Sequence, residues 1–354
     1  MTKKAMIAMS GGVDSAAAAL LCCNQGYDCC GATMQLQDLS SAGSCCTPQD
    51  IATAADVCHT LGIPHRVFDF HGDFKQAVIN KFIAAYEAGN TPNPCVDCNR
   101  YLKFEKLMEK MEQLGYDYIV TGHYARVCCQ NGRYLLKKGL DPKKDQSYVL
   151  YSLTQYQLSH ILLPLGEYTK DQVRAMAADA GLKNAQKKES QDICFVPDGD
   201  YAGFIRRTTG KAYPPGNFVT ADGRVLGQHK GMIHYTIGQR KGLGLALPAP
   251  MFVCQKRLED NTIVLGYNSD LMHSGCLVQN FNWIAFDSPT TPLQCTVKTR
   301  YRQTEVPATA TPLPDGSVQL NFDTPVRAVT CGQAAVLYQG DVVLGGGTIA
   351  KVLA

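Results

Sequence analysis

Ser10-Gly11-Gly12-Val13-Asp14-Ser15 lies between a short apolar run, residues 5–9, and an Ala/Leu-rich run, residues 16–23. That pattern predicts a turn joining a buried strand to a helix. Two adjacent glycines let the backbone approach a ligand in conformations closed to other residues. Ser10 and Ser15 add hydroxyls, and the helix start adds unpaired N–H groups. Such a turn cradles phosphate. No Gly-Lys-Ser/Thr follows the glycines and no Gly-x-Gly-x-x-Gly is present, so neither the Walker nor the dinucleotide pattern applies.

Outward from that turn, strand-like runs alternate with helical patterns as far as residue 125, the signature of a parallel sheet wrapped by helices. The second helix is well punctuated: Thr47 is the N-cap, Pro48 takes the first helical position, Asp50 lies in the first turn, and Gly62 and Pro64 follow the end. Strands are expected at residues 29–34, 65–70 and 118–121, and helices at 74–88 and 104–114. A nucleotide would sit at the carboxyl edge of this sheet, walled by Met34 after the second strand and Gly122 after the fourth.

Residues 89–100 read as a rigid loop in which Pro92 and Pro94 precede Cys95-Val96-Asp97-Cys98. A structural zinc site needs four ligands, and no second Cys-x-x-Cys or paired His completes one. Reactive thiols or a cluster are favoured, with Cys194 as a third cysteine. Asp97 reads as a solvated loop carboxylate. A hairpin is expected around Asn131-Gly132, and a helix from Thr169 with Gln172 completing a capping box. The run 183–188 is basic. Near residue 200 helical periodicity gives way to short β-rich runs. The expected organisation is α/β: a parallel-sheet unit over 1–200, a small central β-rich unit over 201–267, and a C-terminal β-barrel over 268–354.

Composition excludes several classes. Of 354 residues, 45% are hydrophobic and 18% charged, an ordinary globular balance with room for more than one core. A net charge of +3 is too small to argue for nucleic acid by itself. Sixteen cysteines suggest disulfides until the adjacent pairs at 22–23, 29–30, 45–46 and 128–129 are noted, which suit small buried hydrophobes better. The opening apolar run is cut after five residues and does not read as a signal peptide. No run approaches the ~18 apolar residues of a membrane span. The expectation is a protein of the reducing cytoplasm that engages no membrane.

The opening turn resembles the PP-loop of the ATP pyrophosphatases, and the remaining motifs narrow the likeness. Thr-Pro-Asn-Pro at 91–94, Cys98-Asn99, Thr-Gly-His-Tyr-Ala at 121–125, Asp-Gln-Ser-Tyr at 145–148, Glu-Ser-Gln-Asp-Ile-Cys-Phe at 189–195, His-Tyr-Thr-Ile-Gly-Gln-Arg at 234–240 and Arg-Tyr-Arg at 300–302 stand in order along the chain. With them the chain resembles the tRNA-specific 2-thiouridylase family. The resemblance implies ATP and Mg²⁺ as cofactors, with Ala8, Met9, Ser10, Gly11, Gly12, Val13, Asp14, Ser15, Met34 and Gly122 around ATP. It implies a tRNA with a wobble uridine as substrate, and a cysteine desulfurase or sulfur-relay protein as donor. Cys98 and Cys194 would be catalytic: Cys194 takes sulfur as a persulfide and Cys98 releases it onto the base, with a transient disulfide between them. Thiolates are the nucleophiles, so depressed thiol pKa values are expected.

The base would meet Asn93, Pro94 and Cys95. The tRNA would meet His123, Lys144, Asp145, Gln146, Arg300, Tyr301 and Gln333 as well, with the central unit helping to bind it. Basic residues interleaved with tyrosines suit phosphate contacts and stacking on an extruded base. Some relatives carry Asp where this chain has Cys95, so that acid's role does not transfer. Cys95, Cys98 and Cys194 could instead hold an iron–sulfur cluster of the 4Fe-4S type that binds hydrosulfide, and both routes stand open here. A more distant alternative is another PP-loop adenylating synthetase, which would need neither Cys98 nor Cys194. A non-catalytic RNA-binding protein using ATP as a structural ligand is a third.

Overall fold

Residues 5–7 have no exposed surface and form the centre of β1 (Lys4–Ala8), after which the chain turns through the two glycines into α1 (Val13–Asn24). The computed structural model describes residues 2–37, 47–185 and 193–353. Ala16, Ala17, Ala18 and Ala19 are fully buried, and their small side chains let α1 lie close on the sheet. β2 (Asp28–Gln35), α2 (Pro48–Thr60) and β3 (His65–Asp69) follow. α2 starts as its sequence predicts: the Asp50 N–H donates to Thr47 Oγ1 at 3.1 Å, and the Thr47 N–H donates to Asp50 Oδ2 at 3.0 Å.

Two interrupted helices come next. The first runs through α3 (His71–Phe74), a π-helical turn (Lys75–Ile79) and α4 (Asn80–Glu87). The second runs through α5 (Pro94–Asp97), a π-helical stretch (Cys98–Lys106) and α6 (Leu107–Gln113). The Cys-x-x-Cys is therefore helical, where a loop was expected. Asn93 and Pro94 explain it, because the Asn93 side chain accepts from the Cys95 N–H at 3.2 Å as an N-cap and Pro94 takes the first helical position.

β4 (Tyr118–Val120) leads to a hairpin of β5 (Ala125–Gln130) and β6 (Arg133–Lys138), turning at Asn131 and Gly132. Then come α7 (Gln155–Ser159), β7 (Ile161–Leu162) and α8 (Lys170–Asp179). The first sheet has the order β3-β2-β1-β4-β7 and all its pairings are parallel. The order reverses at β1, so the carboxyl ends of β1 and β4 flank the crevice where open parallel sheets bind ligands.

After α9 (Tyr201–Thr209), β8 (Gly216–Val219), β9 (Val225–His229), β10 (Phe252–Arg257) and β11 (Thr262–Gly266) form a second sheet around Phe218, Tyr235, Val253 and Ile263. β12 (Met272–Trp283), β13 (Leu293–Lys298), β14 (Val306–Pro312), β15 (Val318–Arg327), β16 (Ala334–Gln339) and β17 (Val342–Leu353) make the third, closed by pairing of β12 with β17. The α/β class with a C-terminal antiparallel barrel is as expected. β6 also pairs with β17, through Lys137 and Val342, so the hairpin extends the barrel sheet.

The described cysteines are free thiols, and Cys22, Cys29, Cys30, Cys58 and Cys276 are buried. Among the described residues no helix is long and apolar enough to cross a membrane. Cys45, Cys46, the end of the basic run at 183–188 and the Glu-Ser-Gln-Asp at 189–192 lie outside the described residues.

Candidate active site

The opening turn braces itself. Ser15 Oγ donates to the Gly12 carbonyl at 3.0 Å and accepts from the Ser10 N–H at 3.2 Å, while the two serine hydroxyls stand 3.3 Å apart. Gly11 has φ +69°, and a Cβ there would lie 2.6 Å from the Asp50 carbonyl oxygen, so no other residue fits. Gly12 precedes α1 without a side-chain cap, leaving first-turn N–H groups for an anion. Ala8 and Met9 lead into the turn from β1, Val13 is buried beneath it, and Gly122 packs on the backbone of Asp14. Met34 stands near the end of neighbouring β2. The turn lies at the sheet's switch point and has the backbone form that can cradle phosphate.

Asp14 turns to a structural task. Its Oδ1 accepts from Tyr124 Oη at 2.7 Å, and Lys170 Nζ reaches Oδ1 at 2.7 Å and Oδ2 at 2.9 Å. Asn184, 5% exposed, donates to the Gly11 carbonyl at 3.3 Å, while its own Oδ1 has no partner among the described residues. Sequence reasoning missed both Lys170 and Asn184. Lys170 lay hidden at the start of an ordinary amphipathic helix.

The thiols assemble beside this edge. Cys98 and Cys194 both pack against the large apolar cluster, and Cys95, Cys98 and Cys194 lie close enough for each to disfavour ionisation of another. Phe195 anchors the Cys194 segment, its ring 5.2, 5.3 and 5.7 Å from those of Phe204, Phe82 and Phe74. Cys95 is exposed. The expected depression of thiol pKa is reversed at Cys98, where burial pushes it up to about 12, and burial raises Cys95 too. The opposing influence is the Lys103 ammonium, which lowers both.

Lys103 is the other residue that sequence reading missed. Residues five apart in an α-helix are turned about 140° from each other, whereas i→i+5 hydrogen bonding brings them back to one side. The π-helical stretch Cys98–Lys106 therefore sets Lys103 on the side of Cys98. Lys103 Nζ also lies 3.5 Å from His123 Nε2, and it has no carboxylate partner among the described residues. A lysine can only donate, which assigns the His123 proton to Nδ1, 2.7 Å from Thr121 Oγ1. Burial, with Lys103 second, holds His123 well below its ordinary pKa, so the imidazole is neutral.

Asn93 and Pro94 begin the thiol-bearing helix. Several residues expected to meet tRNA carry internal hydrogen bonds. Asp145 Oδ1 accepts from the Gly139 and Ser147 N–H groups, each at 3.1 Å. Gln146 accepts from the Tyr124 N–H at 2.9 Å. Arg300 donates to the carbonyls of Ala328 and Ile237 and to Thr330 Oγ1 at 2.7 Å. Gln333 donates to the Thr91 carbonyl at 2.6 Å. Tyr301 is 38% exposed with its ring 5.9 Å from that of Tyr148, and Lys144 is half-buried in the turn beside Asp145.

Three family models match in succession: a tRNA methyl transferase HUP domain over residues 3–198, a tRNA methyl transferase PRC-barrel domain over 202–267, and an aminomethyltransferase beta-barrel domain over 273–349. A tRNA-specific 2-thiouridylase MnmA of Lachnoclostridium phytofermentans is 48% identical over 356 residues, spanning 99% of this chain and all of the relative. One from Acetivibrio thermocellus is 47% identical, spanning 98% of this chain and 99% of its own. The chain belongs to the tRNA-specific 2-thiouridylase family. Among solved structures, the U34-tRNA thiolase NcsA from Methanococcus maripaludis with its 4Fe-4S cluster aligns over 59% of this chain and 68% of its own, at 17% identity and TM-score 0.36. That likeness is too loose to bear on function.

The donor sets test the implied metals. No group of three or more His, Cys, Asp or Glu side chains converges on a single metal ion among the described residues; Cys95, Cys98 and Cys194 are neighbours whose thiolates are the ligand type an iron–sulfur cluster takes. Asp97 is not the solvated carboxylate expected. Burial raises its pKa although Lys81 stands 3.6 Å away, with the Lys81 ammonium 3.8 Å from the Tyr101 ring centroid.

Proposed function

We propose that this chain is an ATP-dependent tRNA-uridine 2-sulfurtransferase acting on the wobble uridine, U34. The observation that supports the reading is that Cys98 and Cys194, far apart in sequence, are close enough to influence each other's ionisation, on a stretch whose Lys103 reaches His123 just beyond the carboxyl end of β4. The family models' descriptions speak of methyl transfer. The names of the relatives speak of thiolation, a reaction that two neighbouring thiols can serve as sulfur carrier and resolving nucleophile.

The C2 oxygen of uracil is a poor leaving group. Its attack on the α-phosphorus of ATP expels pyrophosphate and leaves an O-adenylate. The uncapped N–H groups of α1, with the Ser10 hydroxyl, balance the negative charge that builds on the phosphates. Mg²⁺ would supply further neutralisation. Asp14 already holds Lys170 and Tyr124, so the ion would be held through phosphate oxygens and water. A persulfide on Cys194 then presents its outer sulfur to C2. The C2–S bond forms as the C2–O bond breaks, and AMP leaves with the electron pair. Cys98 attacks the Cys194 sulfur, the sulfur–sulfur bond breaks, and its electron pair stays on the sulfur now attached to C2. The two cysteines are left as a disulfide, which an external thiol reduces.

In this reading residues 1–200 are catalytic, 201–267 help to bind tRNA, and 268–354 complete the RNA surface with Lys144 and Tyr301 at its rim. Asn93, Pro94, Cys95 and His123 face the base. A cysteine desulfurase or a relay protein charges Cys194.

The test supplies purified protein with ATP, wobble-uridine tRNA and a persulfide donor, and measures AMP and 2-thiouridine by mass spectrometry. Both products should appear together, and Cys194→Ser should abolish the second. Absence of tRNA-dependent AMP, or thiolation surviving in a Cys98→Ser, Cys194→Ser double variant, overturns the proposal. Stoichiometric iron and acid-labile sulfide in protein purified without oxygen, lost in Cys95→Ser, would transfer the sulfur step to hydrosulfide on a cluster.

A further inference from the structure

One short segment of the barrel is bonded directly to the leading end of the thiol-bearing stretch and, through Tyr148 and Val149, to its trailing end. At the leading end, the Thr91 N–H donates to the Cys331 carbonyl at 3.2 Å, Gln333 Nε2 donates to the Thr91 carbonyl at 2.6 Å, and Gly332, at φ +86°, packs closely on Asn90 and Thr91. At the trailing end, Asn99 is 3% exposed and donates to the Val149 carbonyl at 3.1 Å, while the neighbouring Tyr148, fully buried, donates through its hydroxyl to the Ala334 carbonyl at 2.9 Å. Between these anchors stand Pro92 and Pro94, whose φ is fixed, and the Asn93 cap on Cys95. A displacement at Thr91 is passed on by a stiff connection. Cys95 and Cys98 thus ride on a bridge with one abutment on residues 331–333 and the other on Val149, itself tied to Ala334 through Tyr148.

We propose that the barrel segment 331–334, with Gln333 as its working side chain, is a positioning clamp that holds the thiols in register with the nucleotide edge. The inference rests on the sulfur-transfer reading, and it replaces the RNA contact that the family resemblance implies for Gln333, whose amide N–H is already engaged by Thr91. A glutamine suits it, since the amide N–H is directed at a backbone carbonyl. Glutamate would set acceptor against acceptor, and alanine would leave the carbonyl without its side-chain donor.

The experiment compares Gln333→Ala, Gln333→Glu and Tyr148→Phe with the parent chain in tRNA affinity, tRNA-dependent AMP release, single-turnover 2-thiouridine formation, and alkylation of each cysteine at one fixed pH, read peptide by peptide. For Gln333→Ala the expected result is unchanged tRNA affinity and AMP release, with roughly tenfold slower sulfur transfer. Alkylation should speed up at Cys95 while the remote Cys129 and Cys254 stay as they were. Tyr148→Phe, which loosens the other abutment and conserves shape, should shift the same readouts in the same direction. Weakened tRNA binding with normal transfer at saturating tRNA makes Gln333 an RNA contact and overturns the clamp, as does a variant that changes nothing. Should the parent chain make no 2-thiouridine, the sulfur-transfer reading falls, and the alkylation pattern alone still decides whether residues 331–334 hold the thiols.

Discussion

The Lys170 ammonium bridges both carboxylate oxygens of Asp14, at 2.7 and 2.9 Å, and so ties the first turn of α1 to the first turn of α8. Lys170 is 5% exposed, and its own N–H is held by Asp141 Oδ2 at 3.0 Å. Lys170→Met leaves the half-buried Asp14 carboxylate with the Tyr124 hydroxyl but without its cation and should cost about 1–3 kcal/mol, between an exposed and a buried ion pair. The check is a urea melt alongside the KM for ATP. We expect a lower midpoint and a higher KM, because the loop that Asp14 steadies is the one that would cradle phosphate.

Lys103 is the cation that faces the thiols. Lys103→Met should slow 2-thiouridine formation about tenfold or more while AMP release proceeds, and Lys103→Arg should restore much of the loss. Equal loss of both products in Lys103→Met would move the residue to the nucleotide side of the site. Since burial holds the Cys98 thiol up to about 12, sulfur transfer should also accelerate as pH rises through the mildly alkaline range.

His123 predicts a pH dependence of stability. In the folded protein the buried imidazole stays neutral well below pH 6.5, whereas in the unfolded chain it takes up a proton there. The unfolded state therefore binds more protons as pH falls below about 6.5, and stability should decline by up to about 1.4 kcal/mol per pH unit. His65, His229, His234 and His273 are lowered by burial too and add in the same direction. Denaturation midpoints at about pH 5.5 and 7.5 measure the slope. His123→Gln should flatten it in part, and an unchanged slope would contradict the assignment.

Phe195 fixes the segment that carries Cys194. Phe195→Ala removes a ring shared with Phe74, Phe82 and Phe204 and should cost about 3–5 kcal/mol. Assayed well below the melting temperature, the variant should still release AMP and yet transfer sulfur poorly. Retained transfer would mean that Cys194 finds its place without the aromatic anchor.

Where local chemistry decides the backbone, the sequence is readable: Thr47, Pro48 and Asp50 announce α2, and Asn131-Gly132 announces the hairpin turn. Asn93 and Pro94 carry the same kind of signal, but beside a second proline they read as loop stiffeners. The glycine pair of the phosphate turn is legible because its task is a backbone task. Lys103 is not, because its direction depends on a π-helical register that no residue type advertises. Lys170 and Gln333 act across long sequence separations, and only the fold brings them to Asp14 and Thr91. β12 and β14 escape for another reason: β12 pairs through register shifts, and β14 carries Pro307 and Pro312, which argue against a strand.

β17 has three neighbours. It closes the barrel on β12, pairs with β16, and meets the β5–β6 hairpin through Val342, where Arg126 also reaches Asp341 at 2.9 Å. During synthesis the hairpin emerges early and β17 among the last elements. Until β17 arrives, the N-terminal unit shows an open strand edge to the cell, and the half-built barrel shows two more, each a template for unwanted pairing. One ribbon of twelve residues pairs along β12 and β16 and meets the hairpin edge at Lys137. Nascent chains stalled just short of residue 342 should therefore be the form that chaperones hold longest, and release should come with the final strand rather than with the completion of each unit.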